Sequence, residues 1–324
     1  MTYEYQRSDF TCNNPEYFMA VCQYKTHSYV MVGVRDSKTG EQLILNSIGR
    51  KGGFFGTNLT NELMPNREQS IGIQAFTITK DQYGEFVHFL EEMLKVGKSN
   101  ATVLAVPSEW LPNEKPNDNN DNVSFSWVNL KPTGFITKSE KGDVYDASKI
   151  QQGIALNNNC RTTAKYLTKT TMTAESLPNV PSFYRSSLPF KAILSQGKIS
   201  TPLFIYPPPP PAIQDPEMKK QWEVLKKIYA RIDKIAKSSS DDNSKSSHEK
   251  FNSLKGLYQT QYNKLVGKQS SLKELMDDIN QYVLQEKSVI DDKRSFMGRF
   301  FKFKTATRKM FNEIQEECSK IKPK

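Results

Sequence analysis

The sequence predicts an α+β front domain, an antiparallel-leaning sheet with two main helices, followed by an all-α helical bundle. Three observations predict it. Short runs rich in Val, Ile, Tyr and Phe, separated by turn residues, recur from Tyr17 to Leu130. After the proline run Pro207–Pro211, helical spacing takes over. The charge divides near the same place: residues 216–324 carry 24 basic and 15 acidic side chains, whereas residues 1–215 carry 21 and 20. A near-neutral body therefore precedes a basic module, whose expected partner is acidic. The expected boundaries are a domain over 1–200, a Pro-rich linker over 201–216 and a basic bundle over 217–324.

In chain order, Tyr17–Tyr24, Ser28–Arg35 and Gln42–Ile48 read as a β-meander, with Asp36-Ser37-Lys38-Thr39-Gly40 as a hairpin turn that needs Gly at a positive φ. The four glycines between Gly49 and Gly56 predict a mobile loop, and not a phosphate loop, because no Gly-Lys-Ser/Thr follows. Ile71–Ile78 reads as a strand. Thr79 with Gln82 is a capping box for a helix whose apolar face is Tyr83, Phe86, Val87, Leu90 and Leu94. Thr102–Val106 and Val123–Leu130 read as strands around a polar loop from Pro112 to Asn122, and a second helix runs from about Cys160 to Lys169. In the back part, four apolar seams predict four helices: Met218, Trp222, Leu225, Tyr229, Ile232 and Ala236; Phe251, Leu254, Tyr258 and Leu265; Leu275, Ile279 and Val283; Phe296, Phe300, Phe303, Met310 and Ile314. Residues 237–250 read as a disordered loop. Five consecutive prolines read as a stiff polyproline II spacer.

Several classes drop out of the reading. No apolar run approaches the roughly 18 residues that a membrane span needs, and the first residues show no signal-peptide core. Cys12, Cys22, Cys160 and Cys318 form no CxxC pair, so free thiols in a reducing compartment are expected. Three histidines (His27, His88, His248) are too few to suggest a zinc site. No metal and no cofactor are expected.

The chemistry is expected in Leu156–Thr168, LNNNCRTTAKYLT. Asn159 suits a helix N-cap, which puts Cys160 at the first helical position. There the free N–H groups and the helix dipole favour a thiolate, the form a cysteine nucleophile needs. The plain alternative is a buried structural cysteine. His27, at the mouth of the second strand, is the candidate base, and Asn46 and Ser47 on the neighbouring strand are the candidates for orienting its ring. The alternative for His27 is a half-solvated strand-end histidine.

A histidine opening an early strand, a hairpin, and a late Asn-Cys opening a helix resemble the permuted papain-like fold of the NlpC/P60 peptidases and the lecithin:retinol acyltransferase-like proteins. In these, His precedes Cys, and the resemblance, over roughly residues 17–170, carries His27 over as base and Cys160 as nucleophile. The acyltransferase-like proteins place a second His on the next strand, where this chain has Asn46 and Ser47. The layout of the whole chain, with its Glu-rich tail (Glu313, Glu316, Glu317), is similar to that of Dot/Icm-type secreted bacterial effectors, deubiquitinases among them. That resemblance carries over only Cys12, with His88 as the nearest histidine, as a rival site. It implies a cysteine peptidase acting on ubiquitin chains in the host cytoplasm, with the loops 49–56 and 112–122 flanking the cleft. An acyltransferase or lipid hydrolase of the same fold, or a non-catalytic adaptor, is the alternative.

Between Lys293 and Phe311 seven basic residues stand among no acidic ones. Arg299, Lys302, Lys304, Arg308 and Lys309 are the residues expected to hold the protein peripherally on an anionic, phosphoinositide-bearing membrane, at roughly 1 kcal/mol per charge close to the surface. Nucleic acid is the less economical partner, because a core face explains the interleaved phenylalanines.

Overall fold

The computed structural model describes residues 10–53, 56–62, 67–99, 108–113, 122–129, 155, 159–172, 180–183, 185–211, 213, 215, 218–239, 245–292 and 305–319. The chain divides into two compact units, Met1–Ile205 and Tyr206–Lys324. The first is mixed α+β with antiparallel sheets, and the second is helical.

In the first unit, β1 (Phe10–Asn13) leads into β2 (Glu16–Tyr24), β3 (His27–Arg35) and β4 (Gln42–Gly53). The expected meander is therefore present. Its apolar residues dominate both faces: Phe18, Met19, Ala20, Val21, Cys22, Val30, Met31 and Val32 are all fully or almost fully buried. Continuous apolar runs of this kind belong to strands covered on both sides. The β3–β4 turn is held by Asp36, whose carboxylate accepts the N–H groups of Asn13 (2.7 Å), Lys38 and Thr39 (both 2.8 Å), with Gly40 at φ +75°.

The glycine-rich stretch is not a loop. β4 continues to Gly53 and pairs with β5 (Gly56–Asn61), Gly53 facing Gly56. Glycine density alone suggested a loop; the ladder formed by the backbone overrides it. β6 (Gln69–Thr77) follows, then α1 (Lys80–Ser99), whose capping box is present: Gln82 N–H donates to Thr79 Oγ1 (3.1 Å) and Thr79 N–H to Gln82 Oε1 (2.9 Å). Tyr83, Phe86, Val87 and Leu90 are buried. The strand expected at 102–106 lies outside the described residues. β7 (Ser108–Asn113) and β8 (Asn122–Asn129) pair with each other, and β1 joins β8 in a small sheet. Pro112 pairs with Phe125, so the polar connection is shorter than 112–122, and residues 114–121 are outside the described set.

α2 (Cys160–Thr171) is the cysteine helix, followed by β9 (Phe190–Ser195) and β10 (Lys198–Ile199). β10 pairs with β9 on one side and β4 on the other, so the antiparallel pairings β2–β3–β4–β10–β9–β6–β2 return to their start. α2 packs on β3, β4 and β2, and also meets α1. The sheet thus carries the cysteine helix on the strands that bear His27.

The stretch 201–216, expected as a linker, is shared between the units. Leu203, Phe204 and Ile205 are buried in the first, where the Gln42 side chain donates to Thr201 O (2.9 Å) and accepts from Leu203 N–H (3.0 Å). The prolines belong to the second unit, and Tyr258 Oη donates to Pro208 O (2.8 Å). A polyproline stretch makes no internal hydrogen bonds, so its carbonyls are open to such a donor.

The second unit contains α3 (Lys219–Lys237), α4 (Lys245–Val266), α5 (Leu272–Gln285), α6 (Lys287–Asp291) and α7 (Ala306–Ser319). A capping box at Ser271 and Glu274 opens α5. The α3 seam is turned from the one expected: Val224, Leu225, Ile228, Ile232, Ile235 and Ala236 are buried, whereas Trp222 and Tyr229 are half-buried. The supposed loop 237–250 is largely helical from Lys245, with Ser247, His248 and Lys250 buried. Of the last seam, Met310 and Ile314 are buried in α7, and Phe296, Phe300 and Phe303 lie outside the described residues. Among the described residues no helix is long and apolar enough to cross a membrane.

Candidate active site

Asn159 builds the start of α2. Its Oδ1 accepts the N–H groups of Arg161 (3.0 Å) and Thr162 (3.1 Å), its carbonyl accepts Thr163 N–H (3.0 Å), and its own N–H donates to Thr162 Oγ1 (2.8 Å). The sequence expectation of a cap here holds, and it fixes Cys160 at the first helical position.

Two backbone groups at the β2–β3 turn meet the sulfur. Ser28 N–H donates to Cys160 Sγ at 3.3 Å, and as a thiol Cys160 can donate to Thr26 O at 3.7 Å. The backbone on either side of His27 thus meets the sulfur, while the His27 Nε2 lies 2.7 Å from Glu62 Oε1. With Nε2 taken by the carboxylate, Nδ1 is the nitrogen left for sulfur. The structure therefore brings together His27 and Cys160, both named from sequence, and adds Glu62, which was not.

The electrostatics follow from these contacts. Burial pushes the Cys160 thiol up, but the His27 hydrogen bond, the Ser28 N–H and the charge of His27 outweigh it, and the thiol titrates below its ordinary 9.0. His27 is held up at about 9 by its hydrogen bonds to Cys160 and Glu62, against the effect of burial. The carboxylate and imidazole side chains are 11 % and 29 % exposed, so water screens their attraction only partly. The interaction between His27 and Cys160 favours the charged form of both, the direction of a thiolate–imidazolium pair beside the Glu62 carboxylate.

Asn46 and Ser47 do not occupy the orienting place. Antiparallel register sets them opposite Val32 and Met31. Met31 is four residues along β3 from His27, about 13 Å at the rise of a strand. Ser47 contributes through its backbone instead: its carbonyl accepts Glu62 N–H at 2.8 Å, which fixes the start of the Glu62 side chain.

The rival nucleophile is not in a reactive state. Cys12 is fully buried in β1, and burial followed by the nearby Asp36 and Glu41 pushes its thiol up to about 12. A thiol in that state supplies almost no thiolate at neutral pH. His88 lies on the exposed side of α1. Of the expected membrane residues, Arg299, Lys302 and Lys304 lie outside the described residues. Arg308 is engaged within the unit, donating from Nε and Nη2 to both oxygens of Asp291 (2.9 and 2.8 Å), while Lys309 is exposed. The bidentate geometry, not visible in a charge count, pairs Arg308 with a carboxylate of its own unit.

Arg161 is the other residue missed from sequence. It is fully buried, and its guanidinium donates from Nε to Ser28 Oγ (2.8 Å), from Nη1 to Pro181 O (3.0 Å), and from Nη2 to Gln23 Oε1 (2.8 Å) and Ser186 O (3.1 Å). One side chain thereby ties the cysteine helix to β2, β3 and the segment after the helix. Lys165 reinforces that last tie through Val180 O (3.1 Å) and Ser182 Oγ (2.6 Å).

Among the described residues no group of three or more His, Cys, Asp or Glu is placed to hold a metal ion. Comparison with protein-family models, curated proteins and solved structures found no match to this chain.

Proposed function

We propose that this chain is a cysteine-dependent hydrolase of papain-like type, with Cys160 as nucleophile, His27 as general acid and base, and Glu62 orienting the imidazole. The observation that carries the reading is the Cys160 sulfur at a capped helix start, seated on the backbone groups that flank His27, whose ring in turn lies against the Glu62 carboxylate. Carboxylate–imidazole–thiol order is what nucleophilic acyl transfer requires.

In the proposed reaction the thiolate attacks an acyl carbonyl, forming a C–S bond while the carbonyl π pair moves to oxygen. The Asn159 cap takes the N–H groups of Arg161 and Thr162; the Cys160 N–H, ahead of both, is offered to that oxyanion. Collapse expels the leaving group, which takes the proton of the His27 imidazolium. His27, now neutral, removes a proton from water as the water attacks the thioester, and the thiolate leaves as the carboxylic acid product forms. Glu62 keeps the ring oriented through both proton transfers and favours its charged form.

For the substrate we propose a protein acyl bond, with ubiquitin chains first, because the layout of the chain resembles that of secreted effectors. The test is incubation of the full chain and its Cys160→Ala variant with a panel of ubiquitin linkages, a lipid ester and a small thioester. Cleavage of a ubiquitin linkage by the wild type alone supports the whole reading. Turnover of only the lipid or thioester moves the substrate class and keeps the chemistry. No turnover, together with an unreactive Cys160, leaves a non-catalytic adaptor.

A further inference from the structure

The reach from Glu62 to His27 is not one between directly opposed positions. Ile48 pairs with Asn61, and Glu62 N–H bonds Ser47 O, so Glu62 starts at the Ser47 level of β4. Tyr29 pairs with Gly49, and His27 lies two residues further towards the strand mouth. The carboxylate and the imidazole therefore meet diagonally across β4, and the position they meet over is Gly49. Paired positions and every second residue share a face, which puts Ser47, Gly49 and Tyr29 on one side, with the His27 and Tyr29 rings stacked at 6.0 Å.

A Cβ at position 49 would lie 1.9 Å from Glu62 Oε1, 2.8 Å from Glu62 Cδ and 2.9 Å from His27 Nε2. These are far inside any van der Waals contact. The backbone does not require glycine: residue 49 is paired in the strand on both sides, and among the described residues the glycines at positive φ are Gly40 and Gly197. What the position requires is empty space.

We infer that Gly49 is a positioning residue, whose missing side chain is the opening through which the Glu62 carboxylate reaches the His27 imidazole. Its consequence for turnover rests on the catalytic reading above; its geometry does not. A residue of this kind acts on the ring through Glu62 and touches no substrate.

The experiment is a double-mutant cycle on the full chain with Gly49→Ala, Glu62→Ala and the double variant. Two readouts apply: NMR titration of the His27 ring protons, assigned by loss of the signal in His27→Ala, and alkylation of Cys160 across pH. In Gly49→Ala the added methyl displaces the carboxylate, and the His27 midpoint should fall from about 9 by roughly one to three pH units, the range for loss of a close opposite charge. Glu62→Ala should give the same fall, and the double variant no further one, because the methyl then occupies vacated space. An unchanged midpoint in Gly49→Ala, or an additional fall in the double variant, overturns the inference. Should Gly49→Ala not fold, folding restored by Glu62→Ala supports it, and misfolding in both backgrounds refutes it by showing that the sheet itself needs the glycine. If the cycle behaves as expected but no substrate is turned over, the catalytic reading fails and the role of Gly49 stands.

Discussion

Replacing Arg161 by Lys tests whether the cysteine helix is held by the forked guanidinium or by buried charge alone. Arg161 presents three nitrogens to four acceptors on β2, β3 and the 181–186 segment, all at 2.8–3.1 Å. A lysine keeps the charge but offers a single nitrogen, which cannot span acceptors set around a planar fork. Hydrogen bonds to charged groups contribute about 1.5–3 kcal/mol each, and they are not additive. A lysine that recovers two of the four still leaves two buried acceptors unpaired, and relief of some guanidinium desolvation offsets part of that loss. We expect a net destabilisation of about 2–3 kcal/mol. Native-state hydrogen exchange reads this locally: protection of α2 amides such as those of Leu167 and Thr168 should fall about 30- to 150-fold, at 1.36 kcal/mol per factor of ten. Protection unchanged from wild type would refute the reasoning, because the charge alone would then suffice.

Three further outcomes are expected. Asn159→Ala removes a cap that holds two N–H groups; it should cost about 1 kcal/mol of stability and raise the Cys160 midpoint in an alkylation titration, whereas Asn159→Asp should retain the cap. Cys12, buried and held near 12, should resist iodoacetamide in the native protein and label only after denaturation, as peptide mass spectrometry would show. His27 has a folded pKa raised from 6.5 to about 9; its imidazolium therefore contributes stability that is complete below pH 6.5 and is lost as pH rises through 9. Denaturant melts of wild type and His27→Ala should accordingly differ most at pH 6 and converge above pH 9.

How much of this was legible in the sequence depended on how local each signal was. Asn159 and Cys160 are adjacent, and a cap followed by a first-turn cysteine is written in two letters. His27 opens a strand whose Val-rich apolar run is plain. Glu62 was hidden because its role depends on a hairpin built from Gly49–Asn61, a stretch whose glycines and asparagines argue against strand, and on a diagonal passage over Gly49. Asn46 and Ser47 were reasonable on adjacency of strands, but the register, which a bulge between Val32 and Gly33 further shifts, places them well along β3 from His27. Arg161 reads as a solvated helix residue until packing shows its four acceptors. In the second unit the helices were legible from their periodicity. The α3 face was displaced because Trp222 and Tyr229, the largest residues of the expected seam, sit at its margin rather than its centre.

The central claim is that the Cys160 sulfur is held as a thiolate by His27. The most direct measurement is the rate of Cys160 alkylation against pH in the full chain, read by mass spectrometry, for wild type and His27→Ala. The wild-type midpoint should lie below the ordinary 9.0, and it should move upward once the imidazole is gone. A midpoint at or above 9.0 that His27→Ala leaves in place would contradict the claim.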